Sequence, residues 1–150
     1  MKKSLILKII LGLIIGIQFI RPNKNILEQP SEYDIINDKN LTLEVKEIIN
    51  TSCFDCHSNN TNYPWYNQIA PFSWIIANHI NEGKDHLNFS EWSIYNKNQK
   101  KHILDEIEEV IEENKMPLKS YLLLHNNGEI TNQERQYLLE WIELEKIKHN

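Results

Sequence analysis

The residues with chemistry to offer are gathered at Cys53-Phe54-Asp55-Cys56-His57. Their spacing, C-x-x-C-H, is the attachment pattern of c-type haem. Two thiols three residues apart can form thioethers with the two vinyl groups on one haem edge. The histidine that follows is then placed below the ring, where it can give an imidazole nitrogen to iron. Other chemistries share part of this pattern. A thioredoxin-like redox pair needs a βαβ setting, which the sequence lacks. A zinc site needs a fourth ligand, and no second ligand pair stands at finger spacing. A plain Cys53–Cys56 disulfide is the simplest alternative.

Iron held by His57 needs a sixth ligand or an open position. Met116, in Asn114-Lys115-Met116-Pro117, is the only methionine besides the initiator. A thioether in an extended loop can approach the ring face opposite a helix-borne histidine, and Pro117 stiffens that loop. The competing role for Met116 is to plug the core. His79, His86, His102 and His125 are rival ligands; His79 is the best of them, because it shares a helix with core-facing residues. His102 and His149 read as solvated. Met/His ligation raises the reduction potential relative to bis-His, and a filled sixth position suits electron transfer over ligand chemistry. The other ring N–H of His57 needs an acceptor, commonly a backbone carbonyl. The backbone at Pro64 or at Pro71 is the candidate, and the sequence does not choose between them. Tyr63, Trp65 and Tyr66 could hydrogen-bond haem propionates while walling one haem edge, or could simply fill a core. Trp74 and Trp92 read as core.

The elements that must position these residues are helices. Thr42 is a candidate N-cap for a helix in which Val45, Ile48 and Ile49 share one face and lead to Cys53. Pro71 opens a second helix with Phe72, Ile75, Ile76 and Ile80 on its apolar side, and Gly83 is the expected stop. Ile103, Leu104, Ile107, Val110 and Ile111 follow a helical period that must end by Met116-Pro117. Thr131-Asn-Gln-Glu134 is a capping box for a last helix with the stripe Tyr137, Leu138, Trp141, Ile142 and Leu144. No period-2 run competes, so the class is all-α.

The chain has 150 residues, with Lys plus Arg 16 against Asp plus Glu 21 and a net charge of −5. That balance excludes an electrostatic grip on nucleic acid. Two cysteines are too few for a disulfide scaffold, and four glycines form no phosphate cradle. The charge is unevenly placed. Residues 1–21 hold Lys2, Lys3, Lys8 and Arg21 with no acid, so +4 there leaves −9 over the remainder of a −5 chain. Between these flanks Leu5–Ile20 is apolar apart from Lys8 and Gln18, which reads as an export signal or membrane anchor. As a helix it spans about 24 Å, short of a hydrocarbon core of about 30 Å. The first alanine is Ala70, so no A-x-A-like cleavage site follows the apolar run, and retention as an uncleaved anchor is the favoured expectation. The expected organisation is therefore a signal-anchor over 1–21, a linker over 22–40 and a haem-binding domain over 41–150. The acidic run Glu106, Glu108, Glu109, Glu112 and Glu113 reads as a solvated helix face, with a docking surface as the alternative.

The clusters Cys53–His57, Ser58-Asn59, Thr61, Tyr63-Pro64-Trp65-Tyr66, Ala70-Pro71, Leu87-Asn88-Phe89-Ser90-x-Trp92 and Met116-Pro117 occur in an order that resembles the haem-binding domain family of small single-haem proteins, of the Bacteroidota type. That family is similar to class I c-type cytochromes. Over roughly residues 30–142 the resemblance implies one haem c joined to Cys53 and Cys56, His57 as proximal ligand and Met116 as distal ligand. It also implies a cytochrome c-like helical domain wrapped around the haem, with the last helix packed on the first. The expected function is a monohaem electron carrier tethered to the inner membrane. Its domain would lie in the periplasm, or be released there if the signal is cleaved, and its redox partner proteins are unidentified. It is not expected to be an enzyme. The alternatives are a haem sensor or peroxidase-like enzyme whose distal ligand is displaced, and a redox-inactive module with a Cys53–Cys56 disulfide.

Overall fold

A computed structural model describes residues 2–148, so His149 lies outside the described residues. The chain is helical, with no strand among those residues: α1 (Lys2–Ile17), α2 (Leu43–Ser52), α3 (Phe54–His57), α4 (Phe72–His86), α5 (Lys97–Glu112), α6 (Lys119–Leu122) and α7 (Asn132–Lys148), with short 3-10 turns between. Helix α7 packs across α2 and α5, while α3 packs on α4.

Capping chemistry sets the boundaries. The Thr42 hydroxyl accepts from Val45 N at 3.3 Å and opens α2. Asn96 and Gln99 cap each other reciprocally at the start of α5, and Thr131 and Glu134 do the same for α7. Helix α5 ends as Asn114 enters the left-handed region at φ 54, a conformation asparagine tolerates at a helix C-terminus. Helix α4 does not stop at Gly83 as expected but continues to His86. The glycine is there for contact instead: a Cβ on Gly83 would lie 2.8 Å from the backbone oxygen of Cys56.

The core joins Ile35, Val45, Ile48 and Ile49 to Phe89, Trp92, Leu104, Leu138, Trp141 and Ile142. Trp92 and Trp141 meet at 5.8 Å between ring centroids. On α7 the buried stripe is Leu138, Trp141, Ile142 and Glu145. The expected members Tyr137 and Leu144 face outward, Leu144 at 60% exposure. Lys146 bridges α7 to Asp105 and Glu108 of α5 at 2.6 Å each, a surface tie worth about 1 kcal/mol or less. Trp74, expected in the core, is instead at the surface with its ring N–H on Ile20 O at 2.8 Å.

Two expectations about the N-terminal third change. Helix α1 forms and buries none of its residues, but no helix among the described residues is long and apolar enough to cross a membrane. Residues 22–40, expected as a linker, are folded onto the domain. Ile35 is fully buried in the core, and Asp34 Oδ2 accepts from the Ser90 hydroxyl at 2.9 Å. Asn25 donates to Ser58 O and Thr61 Oγ1 at 2.7 and 2.9 Å. Its polarity suggested a linker, yet these polar groups are partners for buried backbone and side chains.

Candidate functional site

Cys53 caps the single turn α3 (Phe54–His57), and Cys56 N and His57 N both donate to Cys53 O at 3.2 and 2.9 Å. That turn places Cys53, Cys56 and His57 together in the wall of one large cavity of about 1120 Å³. The volume reaches the top of the range of small-molecule sites, about 300–1,000 Å³, and so suits a large cofactor. Its other walls are mainly apolar: Phe72, Ile75, Ile76 and Ile80 from α4, Ile103, Ile107, Val110 and Ile111 from α5, and Met116, Leu118, Leu123 and Leu124 from the segment that follows. Several of these wall residues, Leu123 at 80% exposure among them, present bare apolar surface. A flat apolar group in the cavity would cover such surface, which is the fit that the donor set demands.

Cys53 and Cys56 are free thiols, not paired with each other. Burial pushes the Cys53 thiol up to about 12, with Cys56 adding to the shift. Burial followed by the charge of Asp55 pushes Cys56 to about 11. The His57 ring has its pKa lowered by burial, partly countered by backbone hydrogen bonds at Leu87 and Gly83. Its Nδ1 lies 3.1 Å from Leu87 O. A carbonyl only accepts, so Nδ1 carries the proton and Nε2 is left bare, the arrangement of a metal-ligating histidine. The acceptor is neither of the proline carbonyls expected. Pro64 O accepts from Asn67 N, and Pro71 O accepts from Trp74 N and Ile75 N; both are committed to starting their own helical turns.

Met116 lies in the wall of the same cavity, and so do His79, His86 and His125. The structure therefore brings Cys53, Cys56, His57 and Met116 together. It does not bring all the aromatics: Tyr66 lines the cavity, whereas Tyr63, Trp65 and Pro71 do not. The Tyr63 hydroxyl instead accepts from Asn25 N at 2.8 Å, and Trp65 is 78% exposed with its ring against the Tyr66 edge. His102 stands on the surface against Glu106 at 3.5 Å. The roles of two cavity residues went unread in the sequence, although Leu87 belongs to one of the clusters that carry the resemblance. Tyr121 donates its hydroxyl to Asp55 Oδ2 at 2.9 Å. Burial, then the Asp55 carboxylate, raises its pKa, so the phenol stays a donor. Leu87 supplies the carbonyl for His57, and no local signal marks it.

Fold and site thus define an all-helical domain that presents two thiols and an imidazole to one large apolar cavity. The haem-binding domain family matches residues 12–144, and the chain belongs to that family. No curated protein and no solved structure matches it.

Proposed function

We propose that the protein is a single-electron carrier of the cell envelope, holding one covalently attached haem with His57 and Met116 as axial ligands. The observation that carries this reading is the convergence of Cys53, Cys56, His57 and Met116 on one apolar cavity. Bound there, the haem supplies an iron that cycles between ferrous and ferric. Cys53 and Cys56 would hold it as thioethers. His57 offers Nε2, oriented through Nδ1 by Leu87 O. Met116, in the wall of the same cavity, would offer its thioether sulfur to that iron, so that no substrate need bind and no bond need break. With the cavity filled, its apolar walls would keep water from the bound group. On this reading the protein is not an enzyme. The basic, apolar start of the chain is read as the signal that directs the domain out of the cytoplasm. Because α1 is not long and apolar enough to cross a membrane, attachment at the inner membrane, facing the periplasm and its redox partner proteins, would rest on its exposed apolar surface.

His125 favours one second reading. It lines the cavity with Nδ1 3.0 Å from Tyr121 O, which leaves Nε2 bare. A distal base of that kind suits a sensor or peroxidase-like site from which Met116 has moved away. The visible spectrum separates the two readings. In protein from cells able to mature c-type haem, denatured chain should retain haem. The oxidised protein should show the weak near-red Met–iron band, which Met116→Ala should abolish. Carbon monoxide binding to the reduced wild type would overturn the carrier reading in favour of the second.

A further inference from the structure

The segment that bears Met116 has no long helix of its own. It leaves α5 after Glu112 and passes through the left-handed Asn114 to the single turn α6. Its near end is fixed because Lys115 N and Met116 N both donate to Val110 O, at 2.9 and 3.3 Å. Its far end is fixed by Tyr121, whose hydroxyl reaches Asp55 Oδ2 at 2.9 Å, a contact between residues 66 apart in sequence. Asp55 sits between the two motif cysteines and is itself immobilised. Its other carboxylate oxygen accepts from Asn62 N at 3.2 Å, and its backbone carbonyl accepts from the Thr61 hydroxyl at 2.8 Å. The Tyr121 ring is held as firmly. It stacks on His125 at 4.1 Å with 6° between planes. Gly128 leaves room for it, since a Cβ there would come within 2.7 Å of Tyr121 Cε1. Three constraints thus converge on a side chain that belongs to no ligand set.

We propose that Asp55 and Tyr121 form a latch between the haem-attachment turn and the Met116 segment, and that this latch positions the Met116 sulfur. The proposal rests on the reading of Met116 as axial ligand. A thioether on a loop competes with ligands from solution through its effective concentration, which falls when the loop loses one of its two fixed ends. With the latch open, the segment is held chiefly at Val110, and a small ligand displaces the sulfur more easily. Asp55 and Tyr121 are positioning residues in this scheme.

The test is an imidazole titration of the ferric, haem-loaded full chain, read at the Met–iron band. Tyr121→Phe and Asp55→Ala should each tighten imidazole binding about tenfold, the scale of one hydrogen bond to a charged acceptor. Asp55→Asn keeps an acceptor oxygen and should stay within about threefold of wild type. The double variant Asp55→Ala/Tyr121→Phe should be no worse than Asp55→Ala alone, because Tyr121→Phe removes only a contact that variant has already lost. Wild-type affinity in the single variants would overturn the latch, as would loss of thermal stability with the imidazole affinity unmoved. If one single variant fails to load haem, the other decides. A wild-type protein without the Met–iron band would overturn the Met116 reading itself, which keeps the two failures apart.

Discussion

The two walls of the cavity are built differently. The His57 wall is a contiguous five-residue motif on one helical turn, pressed so closely against α4 that Gly83 has no room for a side chain. The Met116 wall is a segment between helices, secured at scattered points: Val110 O, the Asp55–Tyr121 pair, and the Arg135 guanidinium on Ile111 O. One wall is rigid because backbone packs on backbone. The other is defined by side chains that reach across the fold. A site that must keep one ligand under all conditions and tune the other has reason to be built in this unequal way.

The largest effect should come from the rigid wall. Replacing both cysteines, Cys53→Ser with Cys56→Ser, should abolish haem that survives denaturation, seen by haem staining of the separated chain. Retention of covalent haem would show that the attachment lies elsewhere. Next come the two glycines, which compare the walls directly. In mid-helix, Gly83→Ala gains up to about 1 kcal/mol of propensity. The new methyl, however, meets a backbone carbonyl that cannot swing away, and overpacking of that kind costs about 1–3 kcal/mol. The net result should be a loss of stability in urea unfolding. Gly128→Ala meets an edge atom of the Tyr121 ring instead; that ring can shift only by loosening its stack on His125 and its bond to Asp55, which should cost less than displacing backbone. Equal costs would mean that the Met116 wall is as stiff as its counterpart. The smallest effect belongs to α7, which backs the Met116 side through Arg135. Thr131→Ala should cost about 1 kcal/mol by removing the cap. Its partner Glu134 is held below its usual 4.5, first by the Thr131 backbone N–H and then by the Thr131 hydroxyl. A depressed carboxylate stabilises above its unfolded value, so this contribution is full above about pH 4.5 and is lost as pH falls through the lower folded value. Glu134→Gln should flatten that stretch of the stability profile, and an unchanged profile would remove the capping box from the account.

What the sequence made legible was local. C-x-x-C-H, the Thr42 cap, the Thr131–Glu134 box and the helical stripe of α5 each lie within one element, where spacing alone dictates geometry. Asn96-x-x-Gln99 was equally legible as a capping box and simply unread. The rest depends on contacts between distant residues. Gly83 looked like a helix stop because glycine ends helices more often than it relieves a crossing, and only the approach of Cys56 distinguishes the two. The acceptor for His57 turned out to be Leu87 because the proline carbonyls were already spent on their own turns. Trp65 leaves the cavity to its neighbour Tyr66, since a 3-10 turn over Trp65–Gln68 sends adjacent side chains in different directions, while Tyr63, ahead of that turn, is engaged by Asn25 N. Tyr121 and Asp55 share no periodicity at all.

The stitching of the N-terminal stretch bears on where this domain begins. The Gln18 side chain pairs with both backbone groups of Ala70, at 3.1 and 2.9 Å. The Arg21 side chain donates to Gln68 O, and Lys84 Nζ reaches Asn25 Oδ1 at 2.6 Å. A cooperative unit drawn from residue 41 onward would discard Ile35 and strip partners from Ser58, Thr61 and Ala70, all of them buried. The contacts of the folded domain therefore reach back to Gln18. Any shortened version meant to stay folded should keep Gln18 and everything after it.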